Sequence, residues 1–211
     1  MSDDRTIVGV YETAQADYRC YRTAWQEKAV DIGVPDDRTA YCEPDAVNGL
    51  GWIAGSAGWD EGSTQIIHAW IWRDGVFQDL GALGSQRNYA WASSMNDAGQ
   101  VVGYSETDAL QVRAFLWDGT RMLDIGESDR FQYSAANSIS NRGDIVGTGL
   151  DDDGRQHALR FAQGEVIDLQ DETTNLGAMA LESAFSVNDD GVIIGYGELD
   201  GDLHGFVLLP Q

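Results

Sequence analysis

The three histidines of the chain are the first residues to examine for chemistry, because three imidazoles can bind a metal ion or act in catalysis. His68, His157 and His204 each precede Ala or Gly and then a large apolar residue, as HAW, HAL and HGF. In stacked units, equivalent side chains lie on the order of 15 to 20 Å apart. A shared ion would need each nitrogen at about 2 Å. The pattern therefore predicts one structural position that occurs three times.

Carboxylates are the other source of chemistry, since the chain has 35 acidic and 13 basic residues and a formal net charge of -22. One recurring set is predicted to accept backbone N–H bonds at a turn: Asp31, Asp79, Asp124 and Asp168. A second set lies at turns or strand edges and could supply the carboxylate pair of a glycoside hydrolase: Asp45, Asp97, Asp144 and Asp190. The chain has no nucleophile elbow, phosphate loop or cysteine–histidine pair, so an enzyme is an alternative interpretation only.

Two acidic loops, DDDGR and ELDGDLHG, distantly resemble calcium-binding loops, although neither has the ligand spacing of an EF-hand. The candidate metal ligands are Asp151, Asp153, Asp200 and Asp202. The alternative is an acidic rim that contacts only solvent. The sequence therefore predicts either no cofactor or Ca²⁺.

The charge and the cysteines restrict the partners. A surface this acidic disfavours nucleic acid, because phosphate binding needs basic residues. No segment is long and apolar enough to span a membrane, and the first residues lack the pattern of a signal peptide. Cys20 and Cys42 could form one disulfide, and two cysteines do not decide the matter.

An internal repeat of about 46 residues explains why these histidines and aspartates recur at regular spacing. The segment MNDAGQVVGYS at 95–105 returns at 47–57, 139–149 and 187–197, and a second element recurs as HAW at 68–70, RAF at 113–115, HAL at 157–159 and HGF at 204–206. Thr23-Ala24-Trp25 is assigned to the second element in the first unit. The approximate units, within one domain, are 1–41, 42–89, 90–133, 134–181 and 182–211.

Each unit reads as four short strands joined by Asn- and Gly-containing turns, such as Asp74-Gly75. In the third strand small Ala alternates with large rings, so that one face of a sheet can pack on the next sheet. The pattern predicts an all-β chain that forms a β-propeller of about five small antiparallel blades. An open arc or solenoid of the same units is the alternative.

The repeat is incomplete at both ends, because the first unit lacks its first strand and the last unit lacks its fourth. Either the natural protein continues beyond these ends, or a partner chain fills the incomplete blade. The second case predicts self-association through that position.

The elements ASSMNDAGQVVG at 92–103, RAFLW at 113–117 and DIG at 124–126 together resemble the HAF family, the "probable extracellular repeat" of bacterial proteins. Thr23 and Arg113 replace the family's His, Ser140 replaces its Asn, and Gln170 replaces its last Gly. The resemblance implies a propeller-like repeat domain with an extracellular or cell-surface location. It implies no activity and no catalytic residues.

The leading hypothesis is a non-enzymatic binding module that presents loops to a protein or a glycan. Functional residues are expected to break the repeat, and Trp59, Asp60 and Glu61 do so in an insertion between the second and third strands. They are the candidate ligand-binding residues. The alternatives are a sugar-processing enzyme with axial carboxylates and a purely structural repeat of a larger surface protein.

Overall fold

The structure is a computed structural model and describes residues 6–14, 18–24, 26–85 and 89–210. These residues form five small antiparallel sheets, numbered 1 to 5 in chain order, and one short helix. Sheets 2, 3 and 4 have four strands each, and sheets 1 and 5 have three. The prediction of an all-β chain built from repeated small sheets is confirmed.

The strands follow one another along the chain. Sheet 1 contains β1 (Thr6–Glu12), β2 (Tyr18–Ala24) and β3 (Val30–Gly33). Sheet 2 contains β4 (Tyr41–Val47), β5 (Ile53–Glu61), β6 (Thr64–Arg73) and β7 (Val76–Gly81). Sheet 3 contains β8 (Ala90–Met95), β9 (Val101–Glu106), β10 (Val112–Trp117) and β11 (Met122–Asp124).

The second half of the chain repeats the plan. Sheet 4 contains β12 (Tyr133–Ile139), β13 (Ile145–Leu150), β14 (Gln156–Ala162) and β15 (Glu165–Asp168). Sheet 5 contains β16 (Ala180–Val187), β17 (Ile193–Leu199) and β18 (Asp202–Leu208). The helix α1 (Leu169–Glu172) lies between sheets 4 and 5. No helix in the described part of the chain has the length and apolar character needed to cross a membrane.

Every sheet is a meander in which consecutive strands pair. We call the four strand positions of a complete sheet a, b, c and d. The register identifies the missing ones: Gly9 of sheet 1 pairs with Tyr21 as Gly55 of sheet 2 pairs with Trp70, so β1 and β2 occupy positions b and c. Among the described residues, sheet 1 therefore has no strand a, and sheet 5, in which Gly195 pairs with Phe206, has no strand d.

The same register corrects one assignment. Arg19-Cys20-Tyr21, and not Thr23-Ala24-Trp25, is the counterpart of His68-Ala69-Trp70, because Tyr21 is the residue opposite the strand-b glycine. The assignment was wrong since Thr-Ala-Trp resembles His-Ala-Trp in composition only. Trp25 itself lies outside the described residues.

The turns between strands a and b close as their residue types predict. In sheet 2 the Gly51 N–H donates to the Asn48 carbonyl at 3.1 Å, and Gly51 has a φ of 75°. The Asn48 side-chain oxygen accepts the N–H groups of Leu50 at 3.0 Å and Trp52 at 2.9 Å. Left-handed backbone geometry favours glycine, and Asn side chains satisfy turn N–H groups.

Neighbouring sheets pack with large side chains of one sheet on small side chains of the next. Phe115 and Trp117 of sheet 3 share a buried cluster with Ala54 and Ala69 of sheet 2. Equivalent clusters join sheets 1 and 2, sheets 3 and 4, and sheets 4 and 5. We call the side of a sheet that carries the residues equivalent to Phe115 and Trp117 its large face. The opposite side, which carries the residues equivalent to Ala54 and Ala69, is its small face.

A glycine in strand b allows this packing. A Cβ atom on Gly103 would lie 1.9 Å from the Trp91 carbonyl oxygen and 2.9 Å from the Phe115 ring. No side chain fits there without displacing backbone, so the position requires glycine.

Hydrogen bonds between consecutive a–b turns tie the sheets together. The Asn48 side chain donates to the Asn96 carbonyl at 3.1 Å, and the Asn96 side chain donates to the Ser140 carbonyl at 3.2 Å. The Gly49 N–H donates to the Asp97 carboxylate at 2.7 Å. The turns of sheets 2 to 5 together line one cavity of about 320 Å³. The a–b turns of these four sheets therefore lie close together.

Sheets 1 and 2 are also joined covalently. Cys20 of β2 and Cys42 of β4 form a buried disulfide, and the two residues are 0% and 1% exposed. The sequence left open whether these two cysteines are bonded, and the structure shows that they are.

Candidate functional site

A basic residue on strand c pairs with an aspartate on strand d in each sheet that has both strands. His68 Nδ1 lies 2.7 Å from the Asp79 carboxylate, and His157 Nδ1 lies 2.8 Å from that of Asp168. Arginine takes the same place in the other two sheets, where the pairs are Arg113–Asp124 at 3.2 Å and Arg19–Asp31 at 2.9 Å. The histidines are one structural position, as predicted.

Each of these aspartates also accepts a backbone N–H from two residues farther on, as predicted for the recurring set. Burial alone raises the pKa of Asp79, but the hydrogen bonds from His68 and Gly81 outweigh it and lower that pKa. The pair therefore holds the imidazole in one orientation. His204 is exposed, and the part of sheet 5 that the structure describes has no strand d to supply an aspartate.

A small cavity adjoins the His68 pair. It has a volume of about 90 Å³ and lies between the connection from sheet 1 to sheet 2 and the surface of sheet 2. Its lining includes Asp36, Arg38, Trp59, His68, Trp70 and Asp79. A water molecule takes about 30 Å³, so the cavity has room for about three groups of that size.

Three buried nitrogen atoms of the lining residues have no hydrogen-bond partner among the described residues: Trp59 Nε1, His68 Nε2 and Trp70 Nε1. An indole nitrogen can only donate. Because His68 Nδ1 faces a carboxylate, we assign the proton of the neutral ring to Nδ1, which leaves Nε2 as an acceptor. An unsatisfied buried polar group costs about 1 to 3 kcal/mol, so a polar group that reached these nitrogens would stabilise the folded state.

Arg38 closes the cavity from the solvent side. Its guanidinium carbon lies 5.1 Å from the centre of the Trp59 ring. The same group pairs with Asp36 at 2.9 Å and with Glu61 at 3.7 Å. The Arg38 side chain is 56% exposed, so these ion pairs contribute little to stability and hold the guanidinium only weakly in place.

The three candidate ligand-binding residues lie on strand β5 and not in a loop. Trp59 lies within β5, not in a loop, and is only 7% exposed. Asp60 and Glu61 are exposed at the end of the same strand. Glu61 lies near Arg38, but neither Asp60 nor Glu61 lines the cavity. Of the three candidates, only Trp59 lines the cavity, and the sequence analysis did not single out Asp36 and Arg38, which line it as well.

Two of the acids proposed as calcium ligands, Asp151 and Asp153, have other partners. Asp151 accepts the Arg155 N–H at 2.8 Å and lies 3.3 Å from His157 Nε2. Asp153 pairs with the Arg155 guanidinium at 2.9 Å. Asp200 lies in the turn that precedes β18, and Asp202 begins that strand. Within the described ranges, no group of three or more His, Cys, Asp or Glu side chains could hold a metal ion.

Of the four carboxylates considered for a glycoside hydrolase, Asp45 has the most unusual surroundings. It sits at a bulge in β4, accepts a hydrogen bond from Ser56 at 3.4 Å and lines a groove of about 430 Å³. Desolvation, and secondly the charge of Glu43, raise the pKa of Asp45 to about 7 although water still reaches the side chain. Asp97 and Asp144 bind turn groups instead. Asp190 lies in the last of these turns.

Comparison with known proteins gives no further guide to the site. No family model matches the chain, and no curated protein matches it significantly.

Proposed function

We propose that the chain is a non-enzymatic glycan-binding module and that the cavity beside Trp59 receives a sugar hydroxyl. The observation that carries the proposal is the set of three unpartnered nitrogens, two of which donate and one of which accepts. A hydroxyl group can donate one hydrogen bond and accept two, so it can donate to the His68 nitrogen and accept from the two indole nitrogens. A charged side chain of a protein ligand cannot match both indole donors and an imidazole acceptor in about 90 Å³.

The surroundings of the cavity fit a sugar ring. Movement of Arg38 away from Trp59 uncovers the indole face, on which the C–H face of a sugar can pack. The carboxylates of Asp36 and Glu61, released from Arg38, then accept sugar hydroxyls. The net charge of -22 favours neutral or basic glycans over acidic ones.

The architecture belongs to the same proposal. We take the five sheets as blades of a β-propeller of the HAF type that is open between sheets 5 and 1. The convergence of four turns on one cavity supports a common axis. The buried disulfide supports the extracellular or cell-surface location that the resemblance suggests, because disulfides persist in oxidising compartments.

The test is binding to a panel of neutral and acidic glycans, followed by titration calorimetry with the best binder. Trp59→Phe keeps a ring but removes the indole donor, and we expect at least a tenfold loss of affinity, about 1.4 kcal/mol. Trp52→Phe is the matched control, because Arg73 lies 5.6 Å from the Trp52 ring in a similar pair elsewhere in sheet 2. Equal affinities for the two variants would contradict the site.

A second candidate function, a sugar-processing enzyme, is favoured by Asp45 alone. A carboxyl group with a pKa of about 7 stays partly protonated at neutral pH and can donate a proton to a leaving group. Turnover of a polysaccharide that Asp45→Asn abolishes and Trp59→Phe spares would select this function. If the protein neither binds nor turns over any glycan, a module for a protein ligand and the purely structural repeat are the remaining interpretations.

A further inference from the structure

The small face of sheet 5 is uncovered, unlike the small faces of sheets 2, 3 and 4. Ile194 on β17 is 46% exposed. The residues at its register position in those three sheets, Ala54, Val102 and Val146, are each 0% exposed. The next sheet in the chain covers those three, and in the described part of the chain no further sheet covers sheet 5.

Strands a and c of sheet 5 show the same exposure. Val207 on β18 is 62% exposed, while its counterpart Ile71 on β6 is 2% exposed. Phe185, at the bulge of β16, is 53% exposed. Together with Ile194 these side chains form a contiguous set of apolar positions on one face of a sheet.

The hydrogen bonds between turns also stop at sheet 5. Asn48 and Asn96 are buried and donate through their side-chain amides to the next turn. The Asn188 side-chain oxygen accepts the N–H groups of Asp190 and Val192, as in the other turns. Its side-chain NH₂ has no such partner in the described part of the chain, and the residue is exposed. Sheet 5 thus presents an unused donor where a further turn would bind.

Sheet 1 presents the complementary surface. Its small face packs on sheet 2 through Cys20 and the disulfide. Its large face carries Tyr21, which lies over Gly9 as Trp70 lies over Gly55, and Tyr11 at 6.4 Å from Tyr21. Tyr11 is 38% exposed and Tyr21 is partly exposed, whereas Trp70 is 1% exposed beneath sheet 1.

We propose that the small face of sheet 5 binds the large face of sheet 1 of a second copy of this chain. The chain itself argues for this occupant, because the contact between a large and a small face already joins four successive pairs of sheets. Sheets 1 and 5 do not form such a cluster with each other among the described residues. The contact uses different faces of the two copies, so it joins them head to tail, as an open row or a closed ring.

The association is expected to depend on salt. Each copy carries a net charge of -22, and repulsion between copies opposes the contact at low ionic strength. Salt screens this repulsion. Sedimentation velocity of the full chain from micromolar to millimolar concentration should therefore show oligomers that strengthen as sodium chloride is added.

Three substitutions test the surfaces. Ile194→Asp on sheet 5 and Tyr11→Asp on sheet 1 are each expected to weaken self-association by at least about tenfold. Val76→Asp is the matched control, because Val76 is 64% exposed at the turn of sheet 2, away from both faces. All three residues are exposed in the single chain, so the variants should fold, and circular dichroism checks that they do.

A mixing experiment distinguishes head-to-tail contact from the alternatives. The Ile194→Asp chain keeps an intact sheet 1, and the Tyr11→Asp chain keeps an intact sheet 5, so an equimolar mixture should form a dimer that cannot extend. A monomer at every concentration and salt level would overturn the proposal and indicate closure within one chain or no contact. Self-association that Tyr11→Asp leaves intact would overturn it in favour of pairing between two copies of sheet 5.

Discussion

The disulfide between Cys20 and Cys42 offers a sharp test of how the sheets depend on one another. The two residues are separated by 22 positions, and a cross-link that closes a loop of this length stabilises the folded state by about 3 kcal/mol. In the part that the structure describes, sheet 1 has three strands and packs on a neighbour on one side only, so we expect this free energy to be lost from sheet 1 alone.

The perturbation is Cys20→Ala combined with Cys42→Ala, and the assay is hydrogen exchange followed by mass spectrometry. A loss of about 3 kcal/mol corresponds to opening of β1 to β3 that is about a hundredfold more frequent. Amides of β12 to β14 in sheet 4 should exchange at the wild-type rate. Wild-type protein treated with a reductant separates the cross-link from the two lost sulfur atoms, and it should behave like the double variant.

Two results would refute this reasoning. Equal acceleration in sheets 1 and 4 would show that all five sheets unfold as one cooperative unit. Unchanged exchange in sheet 1 would show that its packing on sheet 2, through the cluster around Trp70, holds it without the covalent bond.

Three further predictions concern stability. Because the folded-state pKa of Asp45 is raised to about 7, its contribution to stability is fully present below about pH 4 and is lost as the pH rises through 7. The full shift corresponds to about 4 kcal/mol, and screening by water reduces this to about 1 to 2 kcal/mol. Urea unfolding should show that, from pH 4 to pH 8, the free energy of unfolding falls by about 1 to 2 kcal/mol more in the wild type than in Asp45→Asn. Equal falls in the two proteins would contradict the raised pKa. Gly103→Ala should cost at least about 3 kcal/mol, because its Cβ would meet the Trp91 carbonyl oxygen at 1.9 Å, whereas Gly205→Ala, with nothing nearer than 3.8 Å, should change the free energy of unfolding by less than about 1 kcal/mol. A chelator should leave the melting temperature unchanged, because Arg155 already pairs with the acidic loop; a fall would support the calcium alternative.

Much of the fold could be predicted because the turn chemistry is local. Asn48 and Gly51 specify their turn by hydrogen bonds within five residues, and the same pattern recurs in each later sheet. The His68–Asp79 pair was also predictable as a repeated position, since both residues recur together. The register of sheet 1 was not found from composition, but Gly9 and Tyr21 are as far apart in sequence as Gly103 and Phe115, and that spacing carried the correct signal.

The candidate site was only partly predictable. Trp59 stood out because it breaks the repeat, yet the sequence placed it in a loop when β5 is long enough to contain it. Arg38 and Asp36 lie in the connection between two sheets, and only tertiary packing brings them onto the Trp59 ring. The unpartnered nitrogen of His68 depends on the orientation that Asp79 imposes, which no sequence pattern reveals.

The bonds between successive a–b turns have a consequence for engineering. The turns of sheets 3 and 4 each donate to the next turn and accept from the one before, as Asp97 does between Gly49 and Asn141. A duplicated segment that supplies one more turn of this type should therefore insert between two existing units and regenerate every bond at both of its borders. Length could thus be altered by whole units without redesigning any interior surface, and a family of longer and shorter variants would share one set of contacts.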